Sequence, residues 1–295
     1  MPELPEVETV VRGLETVLPG RHILSVRLGK TDFIDNPPAL EKLVPGSRIL
    51  GVRRYGKFLA VELEAQRQSK SEFSLLIHLG MTGQLTVRRP EEPIAPHTHV
   101  FFALDDGREL RYTDIRRFGR MVLVPRFERE RVLGQLGLDP LEAAQADFCA
   151  RLAGRRARIK ALLLDQRVFR GMGNIYTDES LWRARIHPAR HAASLKHDEL
   201  ARLYRAVRSV LNGAIRLRGS SVSDYVDSNG SPGEYQRRHR VYQWEGKGCV
   251  RCGSKIRRLI VAGRSSYFCP CCQPAPRERR MKRRGPHAKA AQRQR

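Results

Sequence analysis

The sequence predicts an α+β fold with an antiparallel β domain first and a helical domain after it. Over residues 23–125, apolar and polar residues alternate with the period of two that is typical of half-buried strands. From about residue 130 the apolar residues recur instead at helical spacing. After residue 236, five cysteines occur within a short segment, which predicts a small separate unit at this end of the chain.

The first residues predict a helix that packs on a core. Pro5 suits a first helical turn, acidic residues follow it, and Pro19 with Gly20 would end the helix. One face of this helix is apolar and carries Val7, Val10, Val11, Leu14 and Leu18. We therefore expect Pro2 and Glu3 to lie immediately before a helix amino terminus.

Six segments predict the strands of the β domain. The dipeptide Asp106-Gly107 between two of them is a strong hairpin signal. The predicted strands are 24–28, 59–63, 73–79, 100–104, 109–112 and 119–124.

The second half predicts helices and a long loop. Apolar residues at helical spacing mark a helix over 200–215 that Gly219 would end, and residues 170–182 predict a glycine turn leading into another helix. The polar segment 220–236 predicts a loop that is either functional or disordered. The predicted domains are residues 1–130, 131–235 and 236–273, followed by a disordered basic tail at 274–295.

Charge points to a polyanionic partner. The chain has 55 Lys and Arg against 31 Asp and Glu, a formal net charge of +24. Such a balance favours nucleic acid, because cationic side chains that neutralise phosphates release counterions. A ribosome-associated protein or a binder of anionic membranes remains an alternative, and composition does not establish catalysis. No run approaches the roughly 18 apolar residues of a membrane span, and acids stand where a signal peptide carries basic residues. We therefore expect a cytoplasmic protein.

The cysteine spacing C-x2-C-x16-C-x2-C predicts one structural zinc ion. Two such knuckles supply four thiolates to a tetrahedral ion and leave no position for a catalytic water. We interpret Cys271, inside the second knuckle, as a bystander. The alternative is a basic hairpin with free cysteines. The predicted ligands are Cys249, Cys252, Cys269 and Cys272.

The Met-Pro-Glu start predicts a nucleophile. The initiator methionine is usually removed before a small residue, which would leave Pro2 with a free secondary amine. An α-amino group has an ordinary pKa of about 7.7–8.0, so part of it is neutral at physiological pH. A neutral amine can attack a sugar C1′, displace a base and form an iminium, with Glu3 moving the proton. The alternative is an ordinary solvated terminus.

Several separated motifs, in order, resemble the formamidopyrimidine-DNA glycosylase (Fpg) family along nearly the whole chain. The resemblance implies an antiparallel β-sandwich behind the first helix, a helix–two-turn–helix domain and a zinc-finger β-hairpin. The motifs are the opening MPELPEVETVVRGL, GKF at 56–58, HLGMTG at 78–83, DIRRFG at 114–119, LDQ at 164–166, GMGNIY at 171–176, DY at 224–225, SPG at 231–233, GR at 263–264 and FCP at 268–270.

The resemblance implies four catalytic residues. Pro2 is the nucleophile and Glu3 its acid/base partner. Lys57, on a hairpin, supplies a cation near a phosphate and a proton for β-elimination. Arg264, on the zinc finger, holds phosphates and is linked with δ-elimination.

Extruding a nucleotide leaves a gap in the base stack that protein side chains must fill. By resemblance, Met81, Arg116 and Phe118 fill it, and Arg116 can also bind the unpaired partner base. Met81 and Phe118 as sheet core is the alternative. Ile115 stands where the family usually has proline, which leaves the path of this loop open.

Further residues resemble the family's DNA contacts. Asn174 follows two glycines at a predicted helix start, where its amide and the backbone N–H groups can hold a phosphate. His97, Arg156 and Lys160 correspond to other DNA-contact positions. Arg155 is an adjacent alternative to Arg156.

The resemblance implies a monomeric enzyme that excises oxidised purines from duplex DNA and then cuts the strand by β,δ-elimination. The Nei-type family, which prefers oxidised pyrimidines, is one rival, although Leu4 and the three gap-filling residues resemble the purine branch. A non-catalytic binder of damaged DNA is the other. Residues 221–223 depart from the family's usual Thr-Leu-Arg, so the lesion preference stays open.

Overall fold

A computed structural model describes residues 1–65, 71–222 and 224–275 of the chain. Helix α1 spans Leu4–Glu15, as predicted. All five residues of its predicted apolar face are buried. Of the predicted basic tail, residues 276–295 lie outside the described part.

Two four-stranded antiparallel sheets follow α1. Their strands are β1 (Ile23–Leu28), β2 (Arg48–Tyr55), β3 (Phe58–Glu64), β4 (Glu72–His78), β5 (Gln84–Arg88), β6 (Thr98–Leu104), β7 (Glu109–Thr113) and β8 (Arg120–Pro125). One sheet has the order β1-β6-β7-β5 and the other β2-β3-β4-β8. Apolar residues of both sheets, among them Val61, Ile77, Phe102 and Tyr112, share one buried cluster with α1. This is the expected β-sandwich with a leading helix.

Three elements of the first half were missing from the prediction: β2, β5 and a short helix α2 (Pro37–Leu43). A register shift between Ile49 and Gly51 interrupts the alternation of β2, and its three arginines mask the apolar face. Helix α2 begins with two prolines, and the Asn36 side chain accepts a hydrogen bond from the Ala39 N–H at 3.2 Å. This asparagine cap is a recognisable helix start.

The second half is helical and ends in a two-stranded hairpin. The predicted helix over 200–215 is part of the longest helix, and the glycine turn at 170–173 does lead into another. The helices are α3 (Arg129–Leu133), α4 (Gln145–Leu152), α5 (Ile159–Leu164), α6 (Asn174–Ala184) and α7 (His197–Arg216), and the hairpin strands are β9 (Arg257–Val261) and β10 (Arg264–Phe268).

Helix α1 joins the two halves. Val7 and Val10 belong to the buried cluster of the sandwich, whereas Leu4 belongs to the buried cluster of the helical half. The Leu4 N–H also donates to the Gly171 carbonyl at 3.0 Å. The first residues of the chain are therefore fixed at the junction between the two halves. No helix in the described part of the chain is long and apolar enough to cross a membrane.

Candidate active site

A cleft of about 560 Å³ opens at this junction. It brings together five of the predicted residues, which come from the sandwich, the helical half and the hairpin: Glu3, Lys57, Met81, Asn174 and Arg264. Met1 also lines the cleft, and Pro2 behind it is buried. Since Met1 is bonded to the Pro2 nitrogen, that nitrogen lies at the cleft wall.

Glu3 is buried and caps helix α6. Its carboxylate accepts hydrogen bonds from the N–H groups of Ile175 at 2.9 Å and Tyr176 at 3.3 Å. A Cβ atom on Gly173 would lie 2.2 Å from the Glu3 Cδ, so only glycine leaves room for this carboxylate. Burial raises the pKa of Glu3, while the Lys57 ammonium and the two N–H groups act in the opposite direction. Glu3 is therefore suited to holding and releasing a proton nearer to neutral pH than an ordinary glutamate.

Lys57 is the second residue of the tight turn between β2 and β3. Gly56 adopts a φ of 62° there, and a Cβ on it would come within 3.0 Å of the Arg170 Cβ. The turn therefore packs closely on the segment before α6, and Lys57 is only 9% exposed. Burial lowers the pKa of Lys57, Arg264 lowers it further, and Glu3 opposes the shift. A lower pKa brings the amine closer to the range in which it exchanges protons.

Arg264 is exposed at the start of β10, after a turn in which Ala262 and Gly263 have φ values of 50° and 70°. The next residue anchors the hairpin to the helices, because the Ser265 carbonyl accepts hydrogen bonds from Asn174 Nδ2 at 3.0 Å and Lys160 Nζ at 2.8 Å. These contacts hold Arg264 at the cleft.

The prediction that Lys160 contacts DNA is wrong. Its side chain is fully buried and pairs with Asp178, with 2.6 Å between Nζ and Oδ1. The Asp178 Oδ2 also accepts the Tyr267 N–H at 3.0 Å. Burial raises the pKa of Asp178 and lowers that of Lys160. Lys160 therefore connects α5, α6 and the hairpin from the inside.

The start of helix α6 differs from the prediction made for the Asn174 segment. The backbone N–H groups at this helix start were predicted to hold a phosphate, but two of them, those of Ile175 and Tyr176, donate to Glu3. They therefore position the carboxylate. The Asn174 amide lies at the cleft, and its contact with DNA stays a prediction.

Met81, Arg116 and Phe118 form one exposed group on two neighbouring loops. Met81 is 39% and Phe118 59% exposed, so the sheet-core alternative is wrong. The Arg116 guanidinium lies 4.5 Å from the centre of the Phe118 ring, and its Nη1 lies 3.3 Å from the Met81 sulfur. The three side chains thus project together beside the cleft.

The four predicted metal ligands converge. Their sulfur atoms all lie within 4.8 Å of one another, with 3.4 Å between Cys252 and Cys269 and 3.6 Å between Cys252 and Cys272. Thiolates around a tetrahedral zinc at about 2.3 Å stand about 3.8 Å apart. The cysteines therefore fit one structural zinc ion, and Cys271 is exposed outside the group. Such an ion would hold the hairpin together and take no part in bond breaking.

Three family models match successive parts of the chain. They are the formamidopyrimidine-DNA glycosylase N-terminal domain over residues 1–121, the H2TH domain of the same enzymes over 136–226, and a zinc finger found in FPG and IleRS over 246–275. The chain belongs to the formamidopyrimidine-DNA glycosylase family.

Relatives and solved structures agree with this assignment. The formamidopyrimidine-DNA glycosylase of Pelotomaculum thermopropionicum is 46% identical over 279 residues, covering 92% of this chain and 99% of its own. That of Herpetosiphon aurantiacus is 44% identical, with 92% and 100% covered. The Lactococcus lactis Fpg bound to DNA with an abasic site is 33% identical at a TM-score of 0.84, with 92% and 100% covered. A point mutant of that protein, in complex with DNA that contains Fapy-dG, has the same identity and TM-score.

Asp114 is a residue of this Fpg-family site that the sequence analysis did not single out. Its fully buried carboxylate accepts hydrogen bonds from the Thr82 hydroxyl, the Tyr112 hydroxyl and, at 2.8 Å, the Gly119 N–H. The Thr82 Oγ1 in turn accepts the Arg116 N–H at 3.1 Å. Asp114 thus ties together the two loops of the gap-filling group, with Ile115 exposed beside it. Its place at the start of the DIRRFG motif was the available signal.

Glu6 is a second residue of the site whose role was not predicted from the sequence. Its Oε2 accepts the Glu3 N–H at 2.9 Å, and its Oε1 accepts the Ser220 N–H at 2.7 Å and the Tyr176 hydroxyl. Burial and the neighbouring Glu3 raise the pKa of Glu6 to about 7. Glu6 therefore links the first helix, α6 and the start of the 220–236 segment. The spacing of three from Glu3 signalled the cap but not the link to Ser220.

The 220–236 segment of this Fpg-family chain has internal hydrogen bonds in its described part. The Ser221 hydroxyl donates to the Tyr225 carbonyl at 2.6 Å and accepts the Gly233 N–H at 2.9 Å. The structure therefore favours the functional alternative over disorder for the described residues. Ser223, one of the positions that depart from the family pattern, lies outside them.

His97, Arg155 and Arg156 are all exposed on loops. Within the described residues, none of the three forms an ion pair with a carboxylate. All three are thus accessible to a phosphate. The choice between Arg155 and Arg156 stays open, since both are exposed on the loop between α4 and α5.

Proposed function

We propose that this Fpg-family protein is a bifunctional DNA glycosylase and AP lyase that removes oxidised purines, 8-oxoguanine and formamidopyrimidines, from duplex DNA. The observation that carries the proposal is the cleft in which Glu3, Lys57 and Arg264 surround the position of the Pro2 nitrogen. The names of the relatives and the DNA with Fapy-dG or carbocyclic 8-oxo-G in two similar structures support a purine substrate. A third similar structure contains DNA with an oxidised pyrimidine, so the comparison of lesions below is part of the test.

The first step needs the free amine of Pro2. With Met1 removed, the neutral secondary amine attacks the sugar C1′, and the glycosidic bond breaks as the N–C1′ bond forms. The departing base takes a proton and the attached nitrogen gives up its own proton. The sugar ring then opens to leave an iminium with its former ring oxygen protonated. Glu3, whose raised pKa keeps a proton available, supplies protons to these leaving oxygen and nitrogen atoms.

Strand cleavage follows from the iminium. Loss of a proton from C2′ expels the 3′ phosphate, which is the β-elimination, and a second elimination expels the 5′ phosphate. Lys57 provides a cation and an exchangeable proton at the cleft, and Arg264 binds the departing phosphate through its guanidinium. Met81, Arg116 and Phe118 fill the place of the extruded nucleotide.

Other parts of the proposal rest on sequence. The domain boundaries, a monomeric state, a cytoplasmic location and DNA contacts from His97 and Arg156 stay predictions. The preference for purines over the pyrimidines of Nei-type enzymes rests on Leu4 and the gap-filling group.

Borohydride trapping tests the nucleophile. Duplexes with 8-oxoguanine, a formamidopyrimidine or thymine glycol are incubated with protein and borohydride, and the covalent complex is measured. We expect efficient trapping with the two purine lesions and ordinary trapping with Pro19→Gly at an exposed turn. Trapping with Pro2→Gly should be strongly reduced, because its primary amine is carried by a residue without the fixed proline ring. Equal trapping by Pro2→Gly would disprove that Pro2 is the nucleophile. Faster reaction with thymine glycol would favour the Nei-type enzyme that prefers pyrimidines. Tight binding without any trapping would favour the non-catalytic binder of damaged DNA.

A further inference from the structure

A second and larger cleft lies away from the candidate active site. It has a volume of about 1200 Å³ and is formed by α6, α7, the segment after Tyr235 and the first cysteine knuckle. Five arginines line it: Arg183, Arg216, Arg238, Arg240 and Arg251. We call it the basic cleft. None of its lining residues also lines the active-site cleft.

The charges of the basic cleft are not compensated. Elsewhere arginines have carboxylate partners, as Arg54 has in Asp139 and Arg190 has in Glu199, at 2.7 and 2.5 Å. Among the ion pairs of the described residues, none involves an arginine of the basic cleft. Four of the five side chains are exposed, and Arg240 is half-buried. Clustered cations of this kind create a positive potential that an anion would relieve.

Among the described residues that line the basic cleft, Glu179 is the one with a carboxylate, and this carboxylate already accepts hydrogen bonds from the backbone. Glu179 stands four residues before Arg183, the spacing at which helical ion pairs form. Its Oε1 instead accepts the N–H groups of Arg240, Val241 and Tyr242 at 2.9 to 3.0 Å. Glu179 is also buried, and its hydrogen bonds go to the backbone. The Arg251 guanidinium donates to the Trp182 carbonyl at 3.2 Å and lies 4.1 Å from the centre of the Trp182 ring, so it is held at the cleft wall. Arg183, Arg216 and Arg238 are exposed to the cleft.

The chemistry and size of the basic cleft favour a phosphate polymer. A guanidinium matches the planar, bidentate geometry of phosphate. The cleft is larger than the roughly 300–1,000 Å³ of small-molecule sites. One strand of a DNA duplex carries a phosphate about every 3.4 Å of the axis, so a backbone segment about 10 Å long presents about three phosphates to the five arginines.

Helix α6 separates the two clefts. Asn174 and Ile175 at its start line the active-site cleft, and Trp182 and Arg183 near its end line the basic cleft. Eight residues of helix place these walls about 12 Å apart along the axis. We propose that the basic cleft binds the phosphodiester backbone of a second DNA segment while the active-site cleft holds the first. This inference rests on the proposed DNA binding of the active-site cleft.

Simultaneous binding has a kinetic signature. If a second duplex binds before the first one dissociates, the dissociation rate of the first duplex rises with the concentration of the second, which acts as competitor. We therefore measure, with the full-length chain, the release of a labelled lesion duplex as unlabelled undamaged duplex is increased. The test variant is R183A/R216A/R238A. The control K42A/R48A/R151A removes the same charge from exposed positions outside both clefts.

We expect the release rate to rise at least fivefold over the competitor range for the wild type and the control, and to stay flat for the test variant. A flat response of the wild type, or an equal rise for the test variant, overturns the inference alone. If the wild type fails to bind the first duplex, the proposed function fails as well. Inorganic tripolyphosphate is the probe for a free-anion site. If it raises the Tm of the wild type but not of the test variant, and the duplex response is flat, the basic cleft is a free-anion site and the inference is also overturned.

Discussion

The Glu3 carboxylate accepts the Ile175 N–H at 2.9 Å, so a residue at the start of the chain caps a helix of the other half. Glutamine at position 3 keeps an oxygen for this N–H but has no proton to exchange. We expect Glu3→Gln to lower the single-turnover rate of base excision about 10²- to 10⁴-fold, the usual contribution of a general acid or base. Affinity for lesion DNA should change little.

A matched control is Glu15→Gln. Its Oε2 also accepts a backbone N–H, from Val52 at 2.6 Å, but it does not line the cleft. The control should excise at the wild-type rate. An unchanged rate for Glu3→Gln would remove Glu3 from the mechanism.

Asp114 should govern how well the gap-filling group is held. In Asp114→Asn, an N–H₂ donor would face the donors that now bind the carboxylate, so at least one hydrogen bond would be lost. Hydrogen bonds to charged groups contribute about 1.5–3 kcal/mol each. We expect Asp114→Asn to reduce the free energy of unfolding by about that amount and to lower the affinity for a duplex with an abasic-site analogue about tenfold. Chemical denaturation and a fluorescence titration measure the two effects.

The control for Asp114 is Asp35→Asn, which removes an exposed ion pair with Arg120 at 3.0 Å. Exposed pairs contribute about 0–1 kcal/mol. If the two variants behave alike in both measurements, Asp114 does not position the loops.

Stability should depend on pH through Glu6. Its pKa is about 7 in the folded protein against an ordinary 4.5, so folding favours the protonated form. This contribution to stability is complete below pH 4.5 and is lost as the pH rises through 7, at most about 3 kcal/mol for one group. We expect the free energy of unfolding of Glu6→Gln, relative to that of the wild type, to increase as the pH rises from 4.5 to above 7.

Denaturation at a series of pH values measures this difference. Glu8→Gln provides a control of opposite sign: hydrogen bonds from Arg54 and Arg12 outweigh burial and lower the pKa of Glu8. Its variant should therefore lose relative stability as the pH rises through the range below 4.5. A difference for Glu6→Gln that does not change with pH would contradict the raised pKa.

Lys160 should matter for stability rather than for direct phosphate contact. Lys160→Met leaves the buried Asp178 charge without its partner, and breaking a buried pair costs about 3–5 kcal/mol. The double variant K160M/D178N should lose less than the sum of the two single variants. Urea denaturation gives these values. A loss below about 1 kcal/mol for Lys160→Met, as expected for Arg120→Met at the surface, would contradict this assignment.

The fold was predictable where one periodicity ran without interruption. Helices α1 and α7 and most strands of the sandwich were of this kind, and the cysteine spacing predicted the metal site. Strand β2 was missed because a register shift after Ile49 breaks the alternation. Helix α2 was missed because seven residues give too little periodicity to recognise.

The site was predictable where a residue type carries its own chemistry, and less so where burial decides the role. Lys160 resembled a DNA contact, yet tertiary packing turned it inward against Asp178. The N–H groups after Asn174 suited a phosphate, but Glu3 from the far end of the sequence occupies them. Glu6 also contacts Ser220 and Tyr176, and Asp114 contacts Thr82. These partners come from distant segments, which local patterns cannot reveal.

Leu4 adds a constraint on when the site is completed. It belongs to a buried cluster whose other members lie between residues 148 and 235, and its N–H donates to the Gly171 carbonyl. During synthesis the first residues therefore have no settled position until most of the helical half has left the ribosome. Met1, in contrast, is 48% exposed in the folded protein, so the residue ahead of the Pro2 nitrogen is accessible to a processing enzyme before and after folding. Assembly of the site by folding and release of the Pro2 amine by loss of Met1 are therefore separate events that can occur in either order.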